Sequence, residues 1–227
     1  MDNLSIERKS IKHLYLRINP TNGQVCVTAP KRMKDTEIAQ FLQQKQDWIA
    51  KKRQQLRHKI QLEPVSKQSL EQLLLWGRTY RICLEPSKSH RIVIDQNNEQ
   101  VTLYVSNIAD KPAIQHQLNQ WLREQLQQQI QKRLPDLEAL SHVRAKECRI
   151  KAMKTRWGTC SIRAARIWIN AALVQLPKDC LDYILLHELV HLHEASHNAR
   201  FHGLMTEFMP NWKAHDDILN RYILPRS

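Results

Sequence analysis

The sequence of 227 residues predicts an α+β fold, because its strand and helix signals come in blocks without regular βαβ alternation. Apolar and polar residues alternate on both sides of a Pro-Thr-Asn-Gly turn at 20–23, which indicates a hairpin. Leucine and isoleucine then step four residues at a time through 118–134, as is typical of a helix. A second, almost wholly apolar helix follows two short strand signals in the last third of the chain.

The first half of the chain reads as a β-rich region. Residues 11–29 predict two strands and their turn, and apolar residues at helical spacing predict an amphipathic helix over 35–58. Residues 63–69 look like a linker, and 73–106 carry further strand signals around an Asp-Gln-Asn-Asn-Glu turn. We therefore expect an N-terminal β-rich region with one helix over 1–110.

The second half, 111–227, is expected to be richer in helices and to pack with the first as one integrated unit. Its predicted elements are a helix over 111–134 that Pro135 ends, strands at 147–153 and 165–174, a helix over 177–194 begun by Pro177, and helical residues over 199–221 interrupted at Pro210. No internal repeat is visible, so a repeat architecture is not expected.

The cysteines and the hydropathy of the sequence indicate the cellular compartment of the protein. The five cysteines are scattered and odd in number, so neither a disulfide framework nor a CxxC metal pair is readable. The N-terminus MDNLSIERKS has no apolar signal region, and no apolar run approaches the roughly 18 residues of a membrane span. We expect a cytoplasmic protein with no membrane association.

The net charge of +13 is unevenly distributed. Residues 142–167 carry eight cations against the single acid Glu147, and these cations are Arg144, Lys146, Arg149, Lys151, Lys154, Arg156, Arg163 and Arg166. A basic surface raises the local concentration of phosphate-bearing partners, including nucleic acid bound without sequence preference. The alternative is a solvated basic face that only keeps the protein soluble.

The stretch ILLHELVHLHEASHNARFH contains a His-Glu-x-x-His pattern. His187 and His191 are four residues apart, so on a helix both imidazoles leave the same face and can converge on one ion. Glu188 lies on the flank of that face, where it can act as general base for a metal-activated water. The rest of this helix is apolar, so three polar groups would be buried there without partners unless a metal such as Zn²⁺ engaged them.

A catalytic zinc has three protein ligands and an open position, so a third ligand is needed. His197, six residues after His191, is the predicted third ligand, and Glu207 on the following helix is the competing one. His193 should point about 200° away from His191 around the helix, and His202 is at most a hydrogen-bond donor near the site. The long motif that adds a glycine between the second and third histidines is not satisfied, because Glu194 stands there.

The segment 156–161 lies about thirty residues before the histidine helix and is the predicted substrate-binding segment. Arg156 can supply positive charge to a developing oxyanion, and Gly158 permits a tight backbone. The predicted substrate contacts are Trp157, Gly158, Thr159, Cys160 and Ser161. A structural turn packed under Trp157 is the alternative interpretation.

TRWGTCS, followed by LDYILLHELVHLHEASHNARF and then MPNWK, resembles the YgjP-like family of bacterial metal-dependent hydrolases, which is similar to SprT-like and other minimal gluzincin-type metallopeptidase domains. The resemblance implies a zincin-like core in which His187, His191 and His197 bind one zinc per chain. It also implies that Glu188 is catalytic and that 156–161 lines the site. Thr159, Asn198 and His202 depart from the usual family residues, which affects the substrate pocket but not the metal ligands.

Three functions remain open at this point. The first is a zinc-dependent peptidase, with Glu188 moving the proton from the attacking water to the leaving amine. The second is a nucleoside triphosphate pyrophosphatase, because UTP pyrophosphatase activity is associated with the family that the chain resembles; the cluster from Arg144 to Arg166 would then hold the phosphates. The third is a nucleic-acid-binding module with structural zinc, which the absence of a nearby cysteine disfavours.

Overall fold

The structure is a computed structural model, in which residues 4–20, 22–57, 59–67 and 69–224 are described. The chain divides into two compact units, the first being Met1–Gln61 with Asn220–Ile223 and the second Leu62–Leu219 with Leu224–Ser227. This division falls beside the predicted linker at 63–69, whereas the predicted boundary at residue 110 lies inside the second unit.

The α+β fold class is confirmed. In chain order the strands and α-helices are β1 (Leu4–Lys9), β2 (Tyr15–Ile18), β3 (Val25–Pro30), α1 (Asp35–Gln44), α2 (Gln46–Arg57), β4 (Ile60–Gln61), β5 (Gln72–Leu75), β6 (Arg78–Pro86), β7 (Arg91–Asp95), β8 (Gln100–Val105), α3 (Lys111–Ser141), β9 (Glu147–Lys151), β10 (Gly158–Ser161), β11 (Arg166–Asn170), α4 (Lys178–Val190), α5 (Ala199–Phe208), α6 (Trp212–Leu219) and β12 (Tyr222–Ile223). In the part of the chain that is described, no helix is long and apolar enough to cross a membrane.

The first unit contains the predicted hairpin, formed by antiparallel β2 and β3, and also β1, which pairs in parallel with β3 and was not predicted. The single helix predicted over 35–58 is wrong, because Lys45 separates α1 from α2. Ile38, Leu42 and Ile49 all contact the same small core.

The second unit contains a four-stranded sheet in the order β5-β6-β8-β7, within the region where strands were predicted. Its first hairpin is fixed to the chain that leads into α4. The amides of Trp76 and Gly77 donate to the carbonyls of Val174 and Gln175 at 2.8 and 3.0 Å. Gly77 has a φ of +79°, and a Cβ there would come within 2.9 Å of Pro177 Cγ, so only glycine fits this turn.

Helix α3 does not end at Pro135, and that prediction is wrong. Proline removes one intrahelical hydrogen bond, but the last turns of α3 are held by contacts both within the helix and from outside it. Ser141 is fully buried, its hydroxyl donates to the Leu137 carbonyl at 2.6 Å, and its own carbonyl lies 2.7 Å from His193 Nε2. The helix ends only at His142, which adopts the left-handed conformation.

A three-stranded sheet in the order β10-β11-β9 lies against α4. The strands predicted at 147–153 and 165–174 are β9 and β11, which pair in parallel, while β10 was not predicted as a strand and pairs antiparallel to β11. Ile167 and Ile169 are fully buried on the face toward α4. Helix α4 ends at Val190, earlier than predicted, while the predicted interruption at Pro210 separates α5 from α6.

Candidate metal centre

Helix α4 carries the first two histidines of the candidate centre and the glutamate between them. Its other side chains are apolar almost all round and most are buried, so it runs through the interior of the second unit. His187 lies in the last turn, His191 caps the C-terminus, and Glu188 is only 4% exposed. The helix therefore presents two imidazoles and one carboxyl group at a single point beneath the surface.

The chain then turns and delivers His197 immediately before α5. The Glu194 carboxylate shapes this turn by accepting from the Ser196 amide at 3.2 Å and the Ser196 hydroxyl at 3.1 Å. Asn198 caps α5, its side-chain oxygen accepting from the Phe201 amide at 3.0 Å. Because Glu194 needs no positive φ, the turn does not require the glycine of the longer motif.

The three ring nitrogens converge. His197 Nε2 lies 3.0 Å from His187 Nε2 and 3.1 Å from His191 Nε2, and among the described residues these three histidines form the cluster able to hold a metal. A tetrahedral zinc with ~2.0–2.1 Å bonds would place its ligand nitrogens about 3.3–3.4 Å apart. The observed spacing is within a few tenths of an ångström of that value, so the three residues fit a divalent ion.

The protonation of the imidazoles also suits a metal. His191 Nδ1 lies 3.1 Å from the Glu194 carbonyl, which can only accept, so Nδ1 carries the proton and Nε2 keeps its lone pair. Burial, with the neighbouring histidines His191 and His197, lowers the pKa of His187 to about 3. Burial also lowers the pKa of His191. Neutral imidazoles are the form that a divalent cation binds.

Phe201, on the first turns of α5, packs against all three histidines. Its ring centroid lies 4.9 Å from His187, 4.8 Å from His191 and 4.7 Å from His197, and the residue is 1% exposed. A rigid ring in contact with each imidazole limits the orientations that the three rings can adopt. Phe201 is thus the side chain that fixes the geometry of the cluster from behind.

Glu188 lies against the start of β10. A Cβ added to Gly158 would come within 2.6 Å of Glu188 Oε1 and 2.9 Å of Ile184 Cγ2, so the glycine leaves the space that the carboxyl group occupies. The sequence suggested that Gly158 provides conformational freedom for a tight backbone. In the structure, glycine is needed because the Glu188 and Ile184 side chains approach this position closely. Burial raises the pKa of Glu188 to about 8, while the positive charge of Arg156 opposes that rise.

Gly158→Ala should therefore displace the Glu188 carboxyl group. We expect a fall in hydrolytic kcat of about 10²-fold, because a shift on the order of 1 Å at a catalytic group has an effect of that size. Overpacking should also lower the free energy of unfolding by about 1–3 kcal/mol. Steady-state kinetics and urea unfolding measure the two effects.

Gly203→Ala is the matched control, because nothing lies within 4 Å of a Cβ at Gly203 in α5. It should leave kcat unchanged and raise the free energy of unfolding by about 0.4–1 kcal/mol. Equal activity of the Gly158→Ala and Gly203→Ala proteins would show that the close approach has no catalytic importance.

A cleft of about 530 Å³ opens over the histidines and Glu188. Its lining includes five members of the predicted segment, namely Arg156, Trp157, Gly158, Thr159 and Cys160. Ser161 ends β10 and does not line the cleft. Among the eight cations of 142–167, Arg156 is the one found in the lining.

The loop that carries Arg156 is fastened by Asn170, which is 1% exposed. The Asn170 side-chain amide donates to the carbonyls of Met153 and Arg156, both at 2.8 Å, and its backbone amide donates to the Trp157 carbonyl at 2.8 Å. A buried asparagine with these bonds holds the loop at the mouth of the cleft. Nothing in the spacing of the sequence pointed to Asn170.

Tyr183 and Asp216 also line the cleft and were not predicted. Tyr183 precedes His187 by one helical turn, a spacing that should have placed it on the same face. Its hydroxyl donates to Asp216 Oδ1 at 3.2 Å, and its ring lies edge-on to His187 at 5.8 Å. Burial and the Asp216 carboxylate raise the pKa of Tyr183, so it stays a hydrogen-bond donor.

The other candidate ligands lie elsewhere. His193 Nε2 contacts the Ser141 carbonyl at 2.7 Å, away from the three converging nitrogens. His202 stacks on Trp212 with ring centroids 5.4 Å apart. Glu207 is exposed on α5 and belongs neither to the histidine cluster nor to the cleft lining.

A family model described as "YgjP-like, metallopeptidase domain" matches residues 12–222. No curated protein matches the chain. Among solved structures, the crystal structure of the metallopeptidase zymogen of Pyrococcus abyssi abylysin is similar, with 22% identity over 40% of this chain and 90% of that chain and a TM-score of 0.37.

Proposed function

The chain belongs to the YgjP-like metallopeptidase family, and from this premise we propose that it is a zinc-dependent peptidase that uses Glu188 as general base. One observation carries the proposal: His197 Nε2 lies about 3 Å from the Nε2 atoms of both His187 and His191, beside a buried carboxyl group. Membership of this family supports a metal-dependent hydrolase. The identity of the metal, the class of substrate and the roles of the individual residues are what we propose.

Zinc is the metal we propose. Three neutral imidazoles with no thiolate match catalytic zinc sites, which keep a fourth position for water. A purely structural zinc normally fills all four positions, and the described residues offer no fourth ligand to this cluster. The open cleft over the cluster supports a catalytic role, because a substrate can reach the fourth position.

The residues of the chain divide the chemistry between them. When bound, zinc would act as a Lewis acid toward the scissile carbonyl and the attacking water. Glu188, whose carboxyl group the charge of a bound zinc would keep ionised despite its burial, takes the proton from that water and then donates it to the departing amine nitrogen. Arg156, which lines the cleft, is the positive group available to the developing oxyanion, whereas the proton of the Tyr183 hydroxyl is already donated to Asp216.

An extended peptide is the substrate that the site geometry supports best. Strand β10 is at the edge of its sheet, and within the described residues it pairs with β11 alone. Its first residue, Gly158, touches Glu188. A peptide that added to the free edge of β10 by main-chain hydrogen bonds would therefore pass beside the general base.

The basic cluster from Arg144 to Arg166 does not support the alternative function, a nucleoside triphosphate pyrophosphatase. By strand alternation Arg149, Lys151 and Arg166 project from the face of the sheet opposite α4, so they are not directed into the cleft. Arg156 remains as a cationic lining residue. One arginine is a weak basis for holding a triphosphate, whose binding sites combine several charge-assisted hydrogen bonds.

A paired substrate screen tests the proposed function. The zinc-loaded protein is incubated with an unfolded protein and with the four nucleoside triphosphates, and products are detected by mass spectrometry and by pyrophosphate release. We expect new peptide termini within unstructured segments and no pyrophosphate above background. Pyrophosphate release without peptide cleavage would contradict the proposal and favour the nucleotide alternative.

A further inference from the structure

The sheet formed by β10, β11 and β9 has a second face, which points away from α4. Ile167 and Ile169 on β11 are buried toward α4, so the alternating Trp168 points to the opposite side. Trp168 stands across from Arg149 on β9 and Thr159 on β10. We call this surface the outer face, and it consists of Glu147, Arg149, Lys151, Thr159, Ser161, Arg166 and Trp168.

The outer face combines an aromatic ring with exposed cations. The Arg149 guanidinium carbon lies 5.6 Å from the centroid of the Trp168 ring, and Lys151 Nζ lies 4.6 Å from it. Both cations are exposed, whereas Trp168 is half-buried beneath them. Both cations are at the ends of long side chains that can move off the ring toward another partner.

The charge of this surface is positive. Glu147 is its one carboxylate, and it accepts from the side chains of both Arg149 and Arg166. Lys151 adds a third cation. Further exposed cations lie beyond the ends of these strands, namely Arg144, Lys146, Lys154 and Arg163, whereas Arg156 lines the cleft. The summed field of these cations and those of the outer face attracts polyanions.

We propose that the outer face binds single-stranded nucleic acid. Arg149, Lys151 and Arg166 contact successive phosphates, and a base stacks on Trp168 once the two cations have moved onto the backbone. A positively charged surface with a half-buried aromatic ring suits an unpaired strand, because only unpaired bases are available to stack on the ring. A duplex would offer phosphates alone.

The outer face and the metal centre are adjacent and share Thr159, which also lines the cleft. The face points away from α4, which carries His187, Glu188 and His191, but β10 borders both surfaces. A strand bound there would hold the hydrolase on nucleic acid without entering the cleft. The inference does not depend on the metal, so binding should be the same in the presence of a chelator, and its failure would leave the proposed function untouched.

A charge-reversal experiment tests the phosphate contacts. Fluorescence anisotropy measures the affinity of the full chain for a labelled oligothymidine of about 20 nucleotides. Combining Arg149→Glu with Lys151→Glu should weaken binding at least tenfold at low salt. It should also reduce the slope of log affinity against log salt by about 1.4, because two contacts are lost.

The matched control combines Lys31→Glu with Arg32→Glu, an exposed pair in the first unit that changes the net charge by the same amount. It should leave most of the affinity and the salt slope intact. An equal loss in this control would show that only net charge matters and would overturn the proposal. Circular dichroism of both variants confirms that each is folded.

A second variant separates stacking from charge. Trp168→Leu should weaken binding of the oligothymidine several-fold with an unchanged salt slope, whereas Trp48→Leu, which changes an exposed tryptophan in α2, should not. Unchanged affinity of the Trp168→Leu protein would overturn the proposal. Equal or tighter binding to a duplex of the same length, or to vesicles of anionic phospholipid, would do so as well.

Discussion

Replacing Glu188 by glutamine is expected to lower kcat by about 10²–10⁴-fold, which is the usual contribution of a positioned general base. Glutamine has the same shape as glutamate, so it fits the space that Gly158, which has no Cβ, leaves for the side chain at position 188. It cannot take a proton from the attacking water. The three imidazole ligands are unchanged, so the variant should keep its metal, and kinetics with zinc-loaded protein give the comparison.

Glu207→Gln is the control for this result. Glu207 is exposed on the neighbouring helix and was the competing ligand in the sequence, so the same chemical change is made near the site but outside it. Its kcat and zinc content should match those of the parent chain. Full activity in the Glu188→Gln protein would remove the general-base role. Loss of zinc in the Glu207→Gln protein would instead identify Glu207 as a ligand.

Phe201→Ala should have the largest effect on stability at the site. Phe201 is 1% exposed and contacts all three imidazoles, so its loss leaves a cavity behind the cluster. Truncations of this kind lower the free energy of unfolding by about 3–5 kcal/mol. Because the imidazoles lose the ring that orients them, zinc affinity should also fall by about 10–100-fold. Urea unfolding and competitive zinc titration measure these quantities.

Phe208→Ala, the same change elsewhere on α5, is the control for Phe201→Ala. Phe208, at the C-terminal end of α5, lies 6.4 Å from His142 and from His193, neither of which belongs to the cluster. Phe208→Ala should lower stability without changing zinc affinity. If the two variants bound zinc equally well, Phe201 would be an ordinary core residue rather than a support for the ligands.

The metal cluster was predictable because helical spacing and chain direction determine most of it. His187 and His191 lie on one helical face by geometry alone, and the short distance to His197 allows a return to the same point. The structure brings the three together. Phe201 could be placed on a helix from its apolar spacing, but its contact with all three rings depends on how the turn at 191–198 folds.

Other parts required tertiary information. The prediction that Pro135 ends α3 failed because the last turns are held by Ser141 and His193, whose contact joins residues 52 positions apart. The basic cluster of 142–167 was visible, but the pairing of β9 with β11 decides which side of the sheet Arg149, Lys151 and Arg166 occupy. Arg156 lies on the loop before β10 and lines the cleft, and the hydrogen bond from Asn170 that holds this loop joins distant parts of the chain.

The zinc content of the purified chain tests the central claim most directly. Plasma mass spectrometry after dialysis against zinc and then against metal-free buffer should give about one zinc per chain, both for the parent protein and for the Glu188→Gln protein. Replacing His187, His191 and His197 together by alanine should abolish it. A parent chain that takes up no zinc, or a triple variant that retains it in full, would contradict the account.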